Sequence, residues 1–66
     1  MPTYVCLLFD LEDDVVIAAE IIEARTKNDA RMAAEKRVQE TEDAASFELW
    51  CDGIRVDTGF PRKGPK

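Results

Sequence analysis

The side chains able to do chemistry are few: two cysteines, Cys6 and Cys51, fourteen carboxylates, nine basic residues and no histidine. Two thiols can form a disulfide, a redox pair or half of a metal site. Two thiolates do not complete a tetrahedral zinc shell, so carboxylates or a second chain would have to supply the rest. Without histidine, a general base would have to be a carboxylate, a perturbed lysine or a thiolate. Lys27, Lys36, Lys63 and Lys66 fall on faces expected to be exposed or on the C-terminal tail, where large pKa shifts are not expected. The acidic run Asp10, Glu12, Asp13 and Asp14 offers hard oxygen ligands but lacks the length and glycine of an EF-hand loop. Gly53, Gly59 and Gly64 are scattered singly, so no phosphate-cradling loop is present. These residues predict a protein that is not an enzyme, with no cofactor, no metal and no small-molecule ligand. The two cysteines read as small buried hydrophobes, placed far apart along neighbouring strands or on opposite faces.

Charge narrows the partners. The chain carries −5, and three of its nine basic residues, Arg62, Lys63 and Lys66, lie in the last six positions. Residues 1 to 60 therefore hold six basic against fourteen acidic side chains, a net of −8. An acidic body repels phosphate backbones, so nucleic acid is not an expected partner. The opening MPTYVCLLFDLEDD has no basic leader, and its apolar run YVCLLF is too short for a signal core or a membrane span. A cytoplasmic protein with reduced cysteines and no membrane partner is the resulting expectation.

The elements that must position these residues follow from periodicity. Residues 3 to 11, TYVCLLFDL, and 15 to 25, VVIAAEIIEAR, are β-branched and aromatic runs that predict two strands paired across the acidic turn. Glu20 interrupts the second, which predicts a bulge or an edge position. From 26 to 43 the period changes, and Ala30, Ala33, Ala34, Val38 and Thr41 fall on one helical face, with Thr26 and Asp29 as a capping box and Asn28 as the competing cap. Arg31, Glu35, Lys36 and Glu40 form the opposite, solvated face. The acidic residues at the helix C-terminus oppose the macrodipole and predict fraying.

The stretch SFELWCDGIRVDTGF holds Asp52 and Gly53 at the centre of a two-residue type I′ turn. That register opposes Cys51 to Ile54, Trp50 to Arg55, Leu49 to Val56 and Phe47 to Thr58. It leaves Trp50, Arg55, Glu48 and Asp57 on one face, with Glu48 facing Asp57 unfavourably. The predicted fold is α+β, ββαββ, a four-stranded antiparallel sheet of order 2-1-3-4 with one helix on one face. Residues 1 to 60 form the single domain and 61 to 66 a flexible basic tail.

Two-sidedness carries the functional reading. The first strand is apolar on both faces, Val5, Leu7, Phe9 and Leu11 on one and Tyr4, Cys6 and Leu8 on the other. One helix covers one face of a sheet, so the second needs other cover. A second copy of the chain is the simplest cover, which predicts a homodimer through the open face, with Tyr4, Cys6, Leu8, Trp50 and Arg55 as interface candidates. The alternative is an acidic regulatory binder, antitoxin-like or a nucleic-acid mimic, docking a basic protein. The ββαβ order with an acidic surface is similar to small bacterial antitoxin-like domains in architecture only, since no motif matches residue by residue, and architecture assigns no function.

Overall fold

The structure is a computed structural model that describes residues 1–10 and 15–60. Its elements run β1 (Thr3–Asp10), β2 (Val16–Glu23), α1 (Lys27–Glu40), β3 (Ala44–Cys51) and β4 (Ile54–Gly59). The strands form one antiparallel sheet in the order β2-β1-β3-β4, as the sequence predicts. The acidic turn beyond Asp10 and the basic tail from position 61 lie outside the described residues.

Helix α1 starts where the cap residues dictate. Thr26 is extended, with φ −133°, and its Oγ1 accepts a hydrogen bond from the Asp29 N–H at 3.1 Å, satisfying one of the orphan amides of the first turn. The helix ends at Glu40, where the Thr41 N–H returns to the Val38 carbonyl. Ala30, Ala34 and Val38 are fully buried at four-residue steps, while Ala33 is half-buried. Because the stripe is small, the axis lies close to the sheet and the bulk of the core comes from Phe47, Leu8 and Leu49 beneath it.

The β3–β4 turn has the predicted geometry. Asp52 (φ 55°) and Gly53 (φ 79°) both occupy the left-handed region that a type I′ turn requires, and Cys51 pairs with Ile54 and Trp50 with Arg55. Beyond Trp50 the register departs from the prediction. Leu49 faces Asp57 rather than Val56, Glu48 faces Thr58, and Phe47 faces Gly59, because Val56 is an extra residue in a bulge. The bulge separates Glu48 from Asp57, removing the like-charge opposition of the uninterrupted ladder. It also sets a glycine against the Phe47 ring, where an added Cβ would lie 2.9 Å from two ring carbons.

A second irregularity interrupts β1–β2 between Leu8 and Phe9, which pair with Ala18 and Val16 and leave Ile17 as the extra residue. The bulge expected near Glu20 therefore sits three residues earlier, while β2 is indeed an outer strand. Glu20 lies in a regular part of the ladder, opposite Cys6, and its carboxylate meets Arg37 of α1 at 3.1 Å.

Candidate interaction surface

Which face of β1 remains open is decided by its ladder partners. Tyr4 pairs with Ile22, Cys6 with Leu49 and Leu8 with Phe47, and all six side chains are buried in the core cluster. This corrects the expectation that Tyr4, Cys6 and Leu8 are interface residues: they lie beneath α1, and Cys6 and Leu8 are wholly inaccessible. The open face is built from the other parity, Val5, Leu7 and Phe9 of β1, flanked by Ala19 and Ile21 of β2 and by Glu48 and Trp50 of β3. Arg55 pairs with Trp50 on the same side. Of the five candidates named from the sequence, Trp50 and Arg55 are on the open face.

The apolar side chains of this face are exposed most on β2, where Ile21 keeps 63% of its surface accessible. Val5, Val16 and Ile17 are also exposed, and Leu7, Phe9 and Trp50 are half-buried. Toward β4 the face turns polar. One Glu48 carboxylate oxygen accepts the Trp50 indole N–H at 3.0 Å and the other accepts Arg55 Nη1 at 3.2 Å. Glu48 thus bridges Trp50 and Arg55 and fixes the indole against the sheet.

The helix-covered side has its own polar clasp. Arg31 Nη1 donates to Asp57 Oδ1 at 2.9 Å and to the Thr58 carbonyl at 3.1 Å, and its Nε donates to Glu35 at 3.2 Å. The guanidinium carbon stands 5.6 Å from the centroid of the Phe47 ring. Arg31 was expected on the solvated face; instead it ties α1 to β4. At Asp57, burial favours the neutral acid, but the Thr58 N–H and Arg31 outweigh it and hold the carboxyl below its ordinary range. Hydrogen bonding to Asp57 in turn raises Arg31 further.

The cysteines are closer than their sequence positions suggest. Cys6 lies opposite Leu49, and Cys51 is two residues further along β3 on the same side, so the pair is diagonal rather than distant or on opposite faces. Diagonal neighbours stand about 7 to 8 Å apart, outside the about 4.4 to 6.8 Å Cα window of a disulfide. Both are free thiols. Burial pushes the Cys6 thiol up to about 11, the charge of Glu20 adds to the rise and Arg37 opposes it. A thiol so protonated is a poor nucleophile and a poor metal ligand at neutral pH.

Among the described residues, no three histidine, cysteine, aspartate or glutamate side chains converge on a possible metal position, and no helix is long and apolar enough to cross a membrane. What the sheet presents instead is one covered and one uncovered apolar face. The chain matches no protein-family model, no curated protein and no solved structure at a significant level.

Proposed function

We propose that the chain is a small cytoplasmic, non-enzymatic interaction module that self-associates through the open face of its sheet. The observation that supports this reading is the apolar surface of Val5, Leu7, Phe9 and Ile21 on the side that α1 leaves bare. Strands of eight residues at about 3.3 Å each, four across at about 4.8 Å, make a face about 26 by 19 Å. Its footprint of about 500 Å², increased by side-chain relief, approaches the about 800 Å² per partner of a standard interface. Trp50, held by Glu48, supplies a pre-ordered aromatic anchor at one end, the residue type that dominates binding energy in such patches. Two free thiols accord with a reducing compartment.

Sedimentation equilibrium at tens of micromolar tests the reading. A mass at least twice the 7.4 kDa of the chain is expected, reduced in Leu7→Glu, which places a charge at the centre of the open face and leaves the core beneath α1 intact. A 7.4 kDa species alone, in the unsubstituted protein, would overturn it.

A further inference from the structure

The two outer strands of the sheet are built differently. β4 is six residues long, carries a bulge at Val56, and has its Thr58 carbonyl occupied by Arg31. These are devices by which proteins blunt an edge against pairing with another chain. β2, VIAAEIIE, is eight residues long and contains neither lysine nor proline. Its one bulge lies at its first turn-proximal residues and leaves Ala18 to Glu23 in regular ladder.

The phase of its hydrogen bonding is also fixed. The Ala24 N–H donates to the Pro2 carbonyl at 3.2 Å, next to the Thr3–Glu23 pair. In an antiparallel ladder, hydrogen-bonded and non-hydrogen-bonded pairs alternate. Even-numbered residues of β2 therefore turn their backbone groups toward β1, and Ala19, Ile21 and Glu23 turn theirs outward, where no strand follows among the described residues.

We propose that this edge pairs with the β2 edge of a second copy, antiparallel, about a two-fold axis through Ile21. Charge and the length of regular strand select the register, since an axis at Ile22 would pair only Ile21 with Glu23 within the strands, for about four hydrogen bonds. An axis at Glu20 would set that carboxylate against its own copy, and an axis at Ala19 would draw the bulged Ile17 into the ladder. With the axis at Ile21, Glu20 faces Ile22, Glu23 faces Ala19, and no two like charges meet. The outward residues Ala19, Ile21 and Glu23 then pair only with one another, giving about six backbone hydrogen bonds. Exposed Ile21 meets its copy at the centre, and the two open faces join into one eight-stranded surface. Because β4 is blunted at both far ends, pairing stops at two chains, as a two-fold contact that consumes its own edge must.

Edge pairing rests on the β2 backbone and is separable from packing through the open face, where facing sheets stand about 10 Å apart. The test is cross-linking of single cysteines in a Cys51→Ser background, with Cys6 remaining inaccessible. In the edge-paired form the two Ile21 Cα atoms lie about 5.5 Å apart, whereas Val5 on β1 lies three strand spacings, about 14 Å, from its copy. Ile21→Cys is expected to form a covalent dimer on mild oxidation whatever Val5→Cys does, because edge pairing alone leaves Val5 out of reach of its copy and any cross-link there reports face packing. Amide exchange of the unsubstituted protein supplies the second readout: Ala19, Ile21 and Glu23 should be protected at high concentration and lose at least tenfold of that protection on dilution. Cross-linking through Val5 but not Ile21, with edge amides that exchange freely at every concentration, would overturn edge pairing while leaving face packing intact. Failure of both cysteines, with free edge amides and a monomeric mass, would overturn both.

Discussion

Gly59→Ala is the sharpest test of the packing under α1. The glycine lies opposite Phe47 in the ladder, and a Cβ there would stand 2.9 Å from Cε2 and Cζ of the ring and 3.2 Å from Arg31 Nη2. Ring carbons do not tolerate 2.9 Å, and Phe47 is fully buried, so the ring can retreat only by moving the helix or its own strand. Overpacking of this kind costs about 1 to 3 kcal/mol, offset by about 0.4 to 1 kcal/mol from the smaller entropy of the unfolded alanine chain. A net loss of about 1 to 2 kcal/mol is expected. In a domain of this size, with about 3 to 5 kcal/mol in hand, that is about a third of its stability and a fall in Tm of about 10 °C. Urea titration followed by circular dichroism measures the free energy, and a thermal scan the Tm. The companion substitution Phe47→Leu shortens the ring that causes the clash, so the double variant should lose less than the two single losses added. An unchanged or raised Tm in Gly59→Ala would refute the reasoning, as would strict additivity with Phe47→Leu.

Other consequences are equally accessible. Removing the helix cap with Thr26→Ala should cost about 1 kcal/mol in urea unfolding, since the Asp29 N–H loses its acceptor. Cys6 should resist a thiol reagent in the folded protein at pH 8 and react rapidly in denaturant, with half-buried Cys51 reacting first. Because the folded thiol titrates at about 11 rather than 9.0, the unfolded chain releases its proton first. Stability should be full below pH 9 and decline toward pH 11, a decline that Cys6→Ala abolishes. Asp57 has the opposite sign: its folded carboxyl lies below 3.8, so its contribution is present above that pH and is lost as pH falls further, and Asp57→Asn should flatten this acid limb of the urea midpoint. Trp50 is the only tryptophan, and its indole sits on the open face, so its emission should shift to the red when the protein is diluted through its dissociation range.

The element order, the type I′ turn, the Thr26 cap and the alanine stripe were all readable from residues because each is set by contacts a few positions apart in the chain. The open face was not. β1 is apolar at both parities, so its alternation is silent about which side meets the helix. That choice depends on pairing with β3, and α1 intervenes between the two strands, so no turn fixes their register. One signal was present: Glu48 and Trp50 alternate with Phe47 and Leu49, and the residues of β1 that pair with Glu48 and Trp50, Leu7 and Val5, must share their open side. The bulge at Val56 was hidden for a similar reason. Its benefits, Asp57 meeting Arg31 and Gly59 meeting Phe47, lie with residues remote in the chain.

That bulge acts as a parity switch. In an uninterrupted strand Arg55 and Asp57, two positions apart, would project to the same side. With Val56 inserted, Arg55 reaches the open face and Glu48, while Asp57 reaches the other side and Arg31. A strand of six residues thereby sends a cation one way and an anion the other, each to an opposite charge on a different element. Were Val56 instead drawn into the ladder opposite Leu49, Asp57 would fall back beside Glu48 and Arg31 would lose its carboxylate on β4, whereas deleting Val56 would leave Leu49 facing Asp57 and both ion pairs in place.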